Sequence, residues 1–311
     1  MATPRSASTR LLQNRSFLWL CLIATNLAVL ALAILLVSIL WQGLGTLDWD
    51  FLTSTASRKP ENAGIIVPLW GSVWVCVICG LVALPLGVGT AIYLEEFARR
   101  TRFTRIVQTN ILNLAGVPSI VYGILGLTAF ARMFGAFGTG ADAGVELGDP
   151  EGLFYLRLPF GSSVLAGGLT LMLVILPIVI ISTQEALRAI PPSLRSGALA
   201  LGATTWQTVW GMTLPAAIPG IMTGSILAMS RAIGESAPLL VVGSALFLLA
   251  TPNNIMSDFS VLPLQIFNWA QRPQAGFHDL AASAIIVQLI VLLAFNGVAV
   301  FIRQKLQKPL L

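Results

Sequence analysis

The stretch FLWLCLIATNLAVLALAILLVSILW, residues Phe17–Trp41, carries no charge over its whole length. As a helix rising about 1.5 Å per residue, it crosses a hydrocarbon core roughly 30 Å thick with some tilt. Lipid offers the backbone no hydrogen bonds, so such a run must bond its own N–H and C=O groups, and helix is the form that does so. Arg5, Arg10 and Arg15 precede it, as in the basic start of a signal peptide. The apolar run outlasts the roughly 7–15 residues of a signal core, which predicts a retained first helix.

The rest of the chain extends this reading. Of 311 residues, 56% are hydrophobic and only 10% charged, with a mean hydropathy of +0.85. A water-soluble domain carries about 25% charged residues, so lipid is the main solvent here. Further apolar runs lie at Ile65–Leu94, Ile106–Phe134, Phe160–Thr183, within Ala216–Ala250, and at Leu280–Ile302. These predict an all-α polytopic membrane protein with about six transmembrane helices. The organisation expected is a tail over 1–16, a first helix and outer loop over 17–64, a core over 65–303 and a second tail over 304–311. The polar connections Gln42–Gly64, Gly135–Pro159, Gln184–Pro215 and Thr251–Asp279 leave no room for an inserted soluble domain. Pro68, Pro85, Pro118 and Pro177 predict bent spans.

Charge orients the chain. With the N-terminus inside, twelve of the eighteen basic residues fall on inner segments, among them Arg99, Arg100, Arg102, Arg105, Arg188, Arg195, Arg303, Lys305 and Lys308. Only Arg58, Lys59, Arg157 and Arg272 fall outside. The positive-inside rule then places both termini in the cytoplasm. The net charge of +5 flanks the spans and is no nucleic-acid footprint. Ala216–Ala250 is about 52 Å long as a helix, too long for one straight span. A seventh crossing would move Arg303–Lys308 outside, so one span is expected to bend or break near Gly234–Pro238. An apolar piece would follow it, within the membrane or at its outer face.

Several chemistries have little to build on. Cys76-x-x-Cys79 has no second ligand pair, and His278 is the only histidine. No G-x-x-x-x-G-K-[ST] loop occurs, and Lys59, Lys305 and Lys308 follow no glycine-rich turn. The chain is expected to be no enzyme, to take no cofactor or metal, and to need an energising partner.

Two charges break the fifth apolar run, MTGSILAMSRAIGESAPLLVVG (Met222–Gly243). At about 100° per residue, Gly220, Gly224, Ala228, Arg231 and Glu235 share one helix face. Gly220-x-x-x-Gly224 is the small-residue spacing of close helix contacts in membranes. Two readings stand. Arg231 and Glu235 pair at i,i+4 and lock a helix interface, or Arg231 lines a path and offers a planar donor fork to an oxyanion while Glu235 holds or screens it. Ser119 and Tyr122 are further pathway candidates, or polar glue between helices. Arg132 is read as a snorkelling side chain or part of a funnel. Glu95, Glu96, Arg99 and Arg100 read as a solvated turn.

Gln184–Pro215 (QEALRAIPPSLRSGALALGATTWQTVWGMTLP) is neither long nor apolar enough to span. It predicts three short helices: QEALRAI closed by Pro191-Pro192, Leu194–Leu201 capped by Ser193 and ended by Gly202, and Thr204–Met212. Leu194, Leu199, Leu201 and Trp206 make it either a docking surface or an amphipathic loop on the membrane.

This loop resembles the EAA loop of ABC-importer permeases. Ser196-Gly197-Ala198 stands in the EAA place, followed by Leu199, Ala200, Leu201 and Gly202. Nine residues, Ala203–Gly211, then lead to Met212-Thr213-Leu214-Pro215. Ser196 and Gly197 depart from the family's Glu and Ala. LNLAGVPSIVYGILGL (Leu112–Leu127), STQEALRAIPPSLR (Ser182–Arg195) and PGIMTGSILAMSRAIGESAPLL (Pro219–Leu240) narrow the likeness to phosphate-specific permeases, in particular their A-type subunit. The resemblance implies a type I ABC-importer permease in the bacterial inner membrane. It further implies pairing with a homologous C-type permease, a cytoplasmic ATPase dimer docked on the loop, and a periplasmic phosphate-binding protein delivering inorganic phosphate. Permeases for sulfate or molybdate are the nearest alternatives, and a stand-alone secondary transporter the next; the inverted repeats expected of the latter are not visible by eye.

Overall fold

The computed structural model describes residues 7–99, 101–136, 145–149, 152, 155–244 and 247–306. Arg5, Arg100, Lys308 and the ends of both expected tails lie outside these residues. Among the described residues twelve α-helices run in order: α1 (Ala7–Gly43), α2 (Trp49–Thr53), α3 (Ile66–Ile92), α4 (Arg102–Ala115), α5 (Ser119–Gly126), α6 (Val164–Arg188), α7 (Pro192–Ala200), α8 (Thr205–Thr208), α9 (Leu214–Gly234), α10 (Ala237–Val242), α11 (Leu262–Ala270) and α12 (Ala275–Leu306). Among the described residues, five helical stretches are long and apolar enough to cross a membrane, six if a bent pair counts as one. The chain is a polytopic helical membrane protein.

The long buried helix α6 is the hub. Val164, Ile175, Val179 and Leu187 are inaccessible along its length, and the helix is packed by α3, α9, α5 and α10. Its first turn is satisfied from outside: the Ser163 hydroxyl accepts from the Ala166 N–H, and the Ile255 and Ser257 carbonyls accept from Leu165 and Val164. These are the donors a helix N-terminus leaves unpaired. By contrast, α1 keeps its apolar side chains exposed and packs on α12, where Gly43 meets the backbone of Ala282 and Ser283. α12 in turn runs antiparallel to α9. The Gln288 amide donates to the Ile233 carbonyl, and the Ser230 hydroxyl donates to Asn296 Oδ1. The first and last helices therefore have their outer ends at one end of the bundle, which also carries Arg99, Arg102, Arg105, Arg188 and Arg195. We call this the basic end.

Several expectations need correction. The third run is broken far more sharply than a simple proline kink, and makes one span only if its two halves are taken together. α4 and α5 meet at 107° across Gly116–Pro118, because Pro118 cannot continue α4 and the residue before a proline is pushed out of helical geometry. Pro68 bends nothing, since it lies in the first turn of α3, where its missing N–H breaks no bond. In the fifth run α9 does end at Gly234, where Glu235 turns extended, and of the two expected courses α10 takes the one packed within the bundle. Leu239 and Val242 of α10 are buried, and Gly123 lies against the Pro238 backbone. Gly135–Pro159, read as plain connection, holds a two-stranded antiparallel hairpin, β1 (Val145–Leu147) and β2 (Leu156–Leu158). Its V-E-L and L-R-L alternation sets Glu146 opposite Arg157.

Candidate functional site: an arginine at a helix break and the segment beneath it

α9 carries the site. A methyl on Gly224 would strike the Ser182 side chain, and one on Gly220 the Cβ of Ala186, so α9 lies backbone to backbone on α6 as the small-residue spacing predicts. Ala228, Met229, Ala232 and Ile233 are buried as well. Arg231 is not at the centre of this packed stripe. It sits at its edge, in line with Leu227 and Gly234, on the face of α9 this chain leaves open.

The helix ends one turn on. Gly234 is its last residue, and Glu235 (φ −79°, ψ 126°) closes it as an extended cap. The Glu235 carboxylate reaches back to accept from Arg231 Nε at 3.2 Å. Glu235 is mostly covered, its side chain 17% exposed, whereas that of Arg231 is 48% exposed. Among the described residues no other hydrogen bond reaches the guanidinium, so its terminal nitrogens are left without a partner. The i,i+4 pair of the helix-lock reading is present, and it leaves the rest of the guanidinium free of partners among the described residues.

Tyr122 is committed elsewhere. Its hydroxyl donates to the Leu114 carbonyl at 2.7 Å, a group freed by the α4–α5 break, and its ring is buried. That bond occupies the proton Tyr122 would have offered an anion. Ser119 opens α5 beside Pro118 and is half-buried.

At the basic end the 184–215 segment differs from its expected form. QEALRAI is no separate helix; α6 continues to Arg188. α7 starts at Pro192, not Leu194, because a proline suits the first helical position. Gly202 does close it, with φ +86° in the left-handed region just past the Leu201 cap. Thr204 caps α8 in a reciprocal box with Gln207. α8 then runs without interruption through a π-helical turn, Val209–Thr213, into α9. Pro215 therefore ends nothing. Ser196, Gly197, Leu199, Leu201, Gly202 and Pro215 are exposed, Leu201 at 92%, while Ala198, Ala203 and Leu214 are half-buried. The Ser196 hydroxyl bonds back to the Pro192 and Ser193 carbonyls, so it presents no free donor outward.

The largest departure is Glu95 and Glu96, read from sequence as a solvated turn. Glu96 is buried, its side chain 8% exposed, and takes two nitrogens of Arg195: Nη2 at 2.7 Å and Nε at 3.1 Å. Arg195 also donates to the Ile190 and Leu187 carbonyls at the frayed end of α6. Glu95 pairs with Arg188. The sequence held a signal for this: two carboxylates end one span, and two arginines stand in the loop that the same orientation puts on the same side. Gln288 and Asn296, two amides eight residues apart in an apolar run, were likewise overlooked and turn out to grip α9.

Broken helices, a tightly packed hub and an exposed helical segment at the basic end define a transporter permease. Comparison with known proteins bears this out. Residues 83–309 match the model of the binding-protein-dependent transport system inner membrane component, and the chain belongs to that family. It is similar to the probable ABC transporter permease protein YqgI of Bacillus subtilis (30% identity, 88% of each chain). It is also similar to the phosphate transport system permease protein PstA of Haemophilus influenzae (29%, 90% of each) and that of Mycobacterium leprae (32%, 78% of this chain and 72% of the other). In fold it resembles a bacterial alginate ABC transporter in complex with its alginate-bound periplasmic protein (TM-score 0.64, 17% identity, 93% of this chain and 94% of the other). The MetNI methionine ABC transporter gives a TM-score of 0.58 at 16% identity over 78% and 95%.

Proposed function

We propose that this chain is the A-type permease subunit of an ATP-driven phosphate importer and forms half of the path across the inner membrane. The arrangement of Arg231 carries the reading: a guanidinium within a membrane helix is costly, about 2.5–3.5 kcal/mol on insertion scales, yet here it is held by one edge and left open on the other. A planar fork of N–H donors suits a tetrahedral oxyanion. Relatives named for phosphate transport support phosphate over sulfate or molybdate. Glu235 keeps the attraction short of a trap, as conduction requires.

A homologous C-type subunit faces the open side of α9 at Leu227, Arg231 and Gly234. A cytoplasmic ATPase dimer docks on Ser196–Ala203, where Leu199 and Leu201 are bare. A periplasmic binding protein delivers phosphate at the opposite end, and both termini lie in the cytoplasm. ATP-driven movement of 184–215 passes into α6 and α9, which the segment joins, and rocks the bundle between outward-open and inward-open states. The test is uptake of labelled phosphate by the reconstituted complex, with sulfate and molybdate as competitors. ATP-dependent accumulation that only phosphate suppresses is expected. Uptake without ATP, or suppression by sulfate or molybdate at equal concentration, overturns the reading.

A further inference from the structure

At the end of α3 a π-helical turn, Tyr93–Phe97, carries three consecutive residues that each grip a different helix of the segment at the basic end. Glu95 holds Arg188 at the end of α6. Glu96 holds Arg195 of α7 by two nitrogens. Phe97 packs its ring on Trp206 of α8, centroids 5.9 Å apart, and Trp206 in turn meets Trp210 at 5.4 Å. In a regular helix, successive side chains lie about 100° apart and soon leave the face. The wider π turn occurs mostly as isolated single turns, frequently at functional sites.

We infer that Glu95-Glu96-Phe97 is a positioning grip that makes α3 move as one body with α7 and α8. This rests on the importer reading. The segment is continuous with α6 before it and α9 after it, but no peptide bond ties it to α3. Without the grip, a push on α7 would reach α3 only indirectly, through its packing on α6. With it, α3 receives the displacement directly, alongside α6 and α9. The ion pairs suit this task better than apolar contact alone. Glu96 is covered, so salt screens its pair weakly, and the Arg195 fork fixes direction as well as distance.

The experiment uses the complete transporter in liposomes and reads three quantities: recovery of the assembled complex, ATP hydrolysed, and phosphate moved. In E96Q the charge is removed and the shape kept. Hydrolysis is expected to continue while phosphate moved per ATP falls about fivefold or more, the lower range of coupling between sites. E95R should uncouple in the same way, and E95R with Arg188→Glu should restore the pair and most of the ratio. A phosphate-to-ATP ratio unchanged from wild type in both E96Q and E95R overturns the inference. So does a proportional fall of uptake and hydrolysis with complex recovery, which is what a merely structural role gives. If E96Q does not assemble, the E95R swap decides alone. Failure of the wild-type complex to move phosphate would refute the importer reading and leaves a different signature, since no variant is then needed to see it.

Discussion

Gly224 is where the packing of the site meets its sharpest limit. A Cβ placed there would lie well inside 3.0 Å of both the Oγ and the Cβ of Ser182. Carbon atoms in contact sit about 3.5–4.0 Å apart, so Gly224→Ala must part α6 and α9 by about an ångström along the stretch that seats Ala228 and Arg231. Overpacking of this kind costs about 1–3 kcal/mol. Two clashes this deep belong to the upper part of that range, about 2–3 kcal/mol, and alanine returns up to about 1 kcal/mol of helix propensity, leaving a net loss of about 1–2 kcal/mol. Ser182→Gly removes the two obstructing atoms, and among the described residues the one bond it deletes is to its own helix, to the Val179 carbonyl. The double variant should therefore recover most of the loss, with a favourable interaction of about 1 kcal/mol in the double-mutant cycle. Thermal unfolding of the purified protein in detergent reads all four corners. Gly297→Ala, whose methyl meets nothing within 4 Å, serves as the control and should not destabilise. Additive single effects, or a Gly224→Ala protein as stable as wild type, would refute the close approach of α6 and α9.

Three further outcomes are expected. Tyr122→Phe keeps the ring but leaves the Leu114 carbonyl unbonded, at a cost of about 1–3 kcal/mol, read in the same unfolding assay. At Gly202 the added side chain meets open space, so the penalty is purely conformational. Gly202→Asn should cost least and Gly202→Val most, with Gly202→Ala between them at about 1–2 kcal/mol, seen as faster amide exchange across Ala200–Thr204. Glu235→Gln still accepts from Arg231 Nε but drops the screening charge. Phosphate should be held more tightly, so that KM and maximal uptake fall together; a raised KM would contradict the screening role.

Much of this molecule is written in simple periodicities, and what escapes them is set by tertiary contact. Charge-free runs locate the spans because lipid leaves the backbone no other partner. The Gly220–Gly224 spacing places α9 on α6 because only glycine admits that approach. The break after Gly234 could be foreseen from length alone. Which of the two expected courses α10 takes could not, since burial of Leu239 and Val242 depends on their packing against α5 and α6. The right angle at Pro118 was underestimated for the same reason: a proline announces a bend, while the Tyr122–Leu114 bond and packing of Ile111 decide how far it goes. Glu95 and Glu96 show the opposite limit. Charges beside a span end look solvated until the loop that covers them is known, and Arg195 comes from 99 residues away.

Labelled phosphate uptake by the reconstituted complex carrying Arg231→Ala or Arg231→Lys weighs the whole proposal. Arg231→Ala should assemble, bind its ATPase and lose uptake, because the open donor edge is gone. Arg231→Lys, with charge but no planar fork, should retain a fraction of it. Wild-type uptake by both variants in a normally assembled complex would show that the anion does not pass by Arg231.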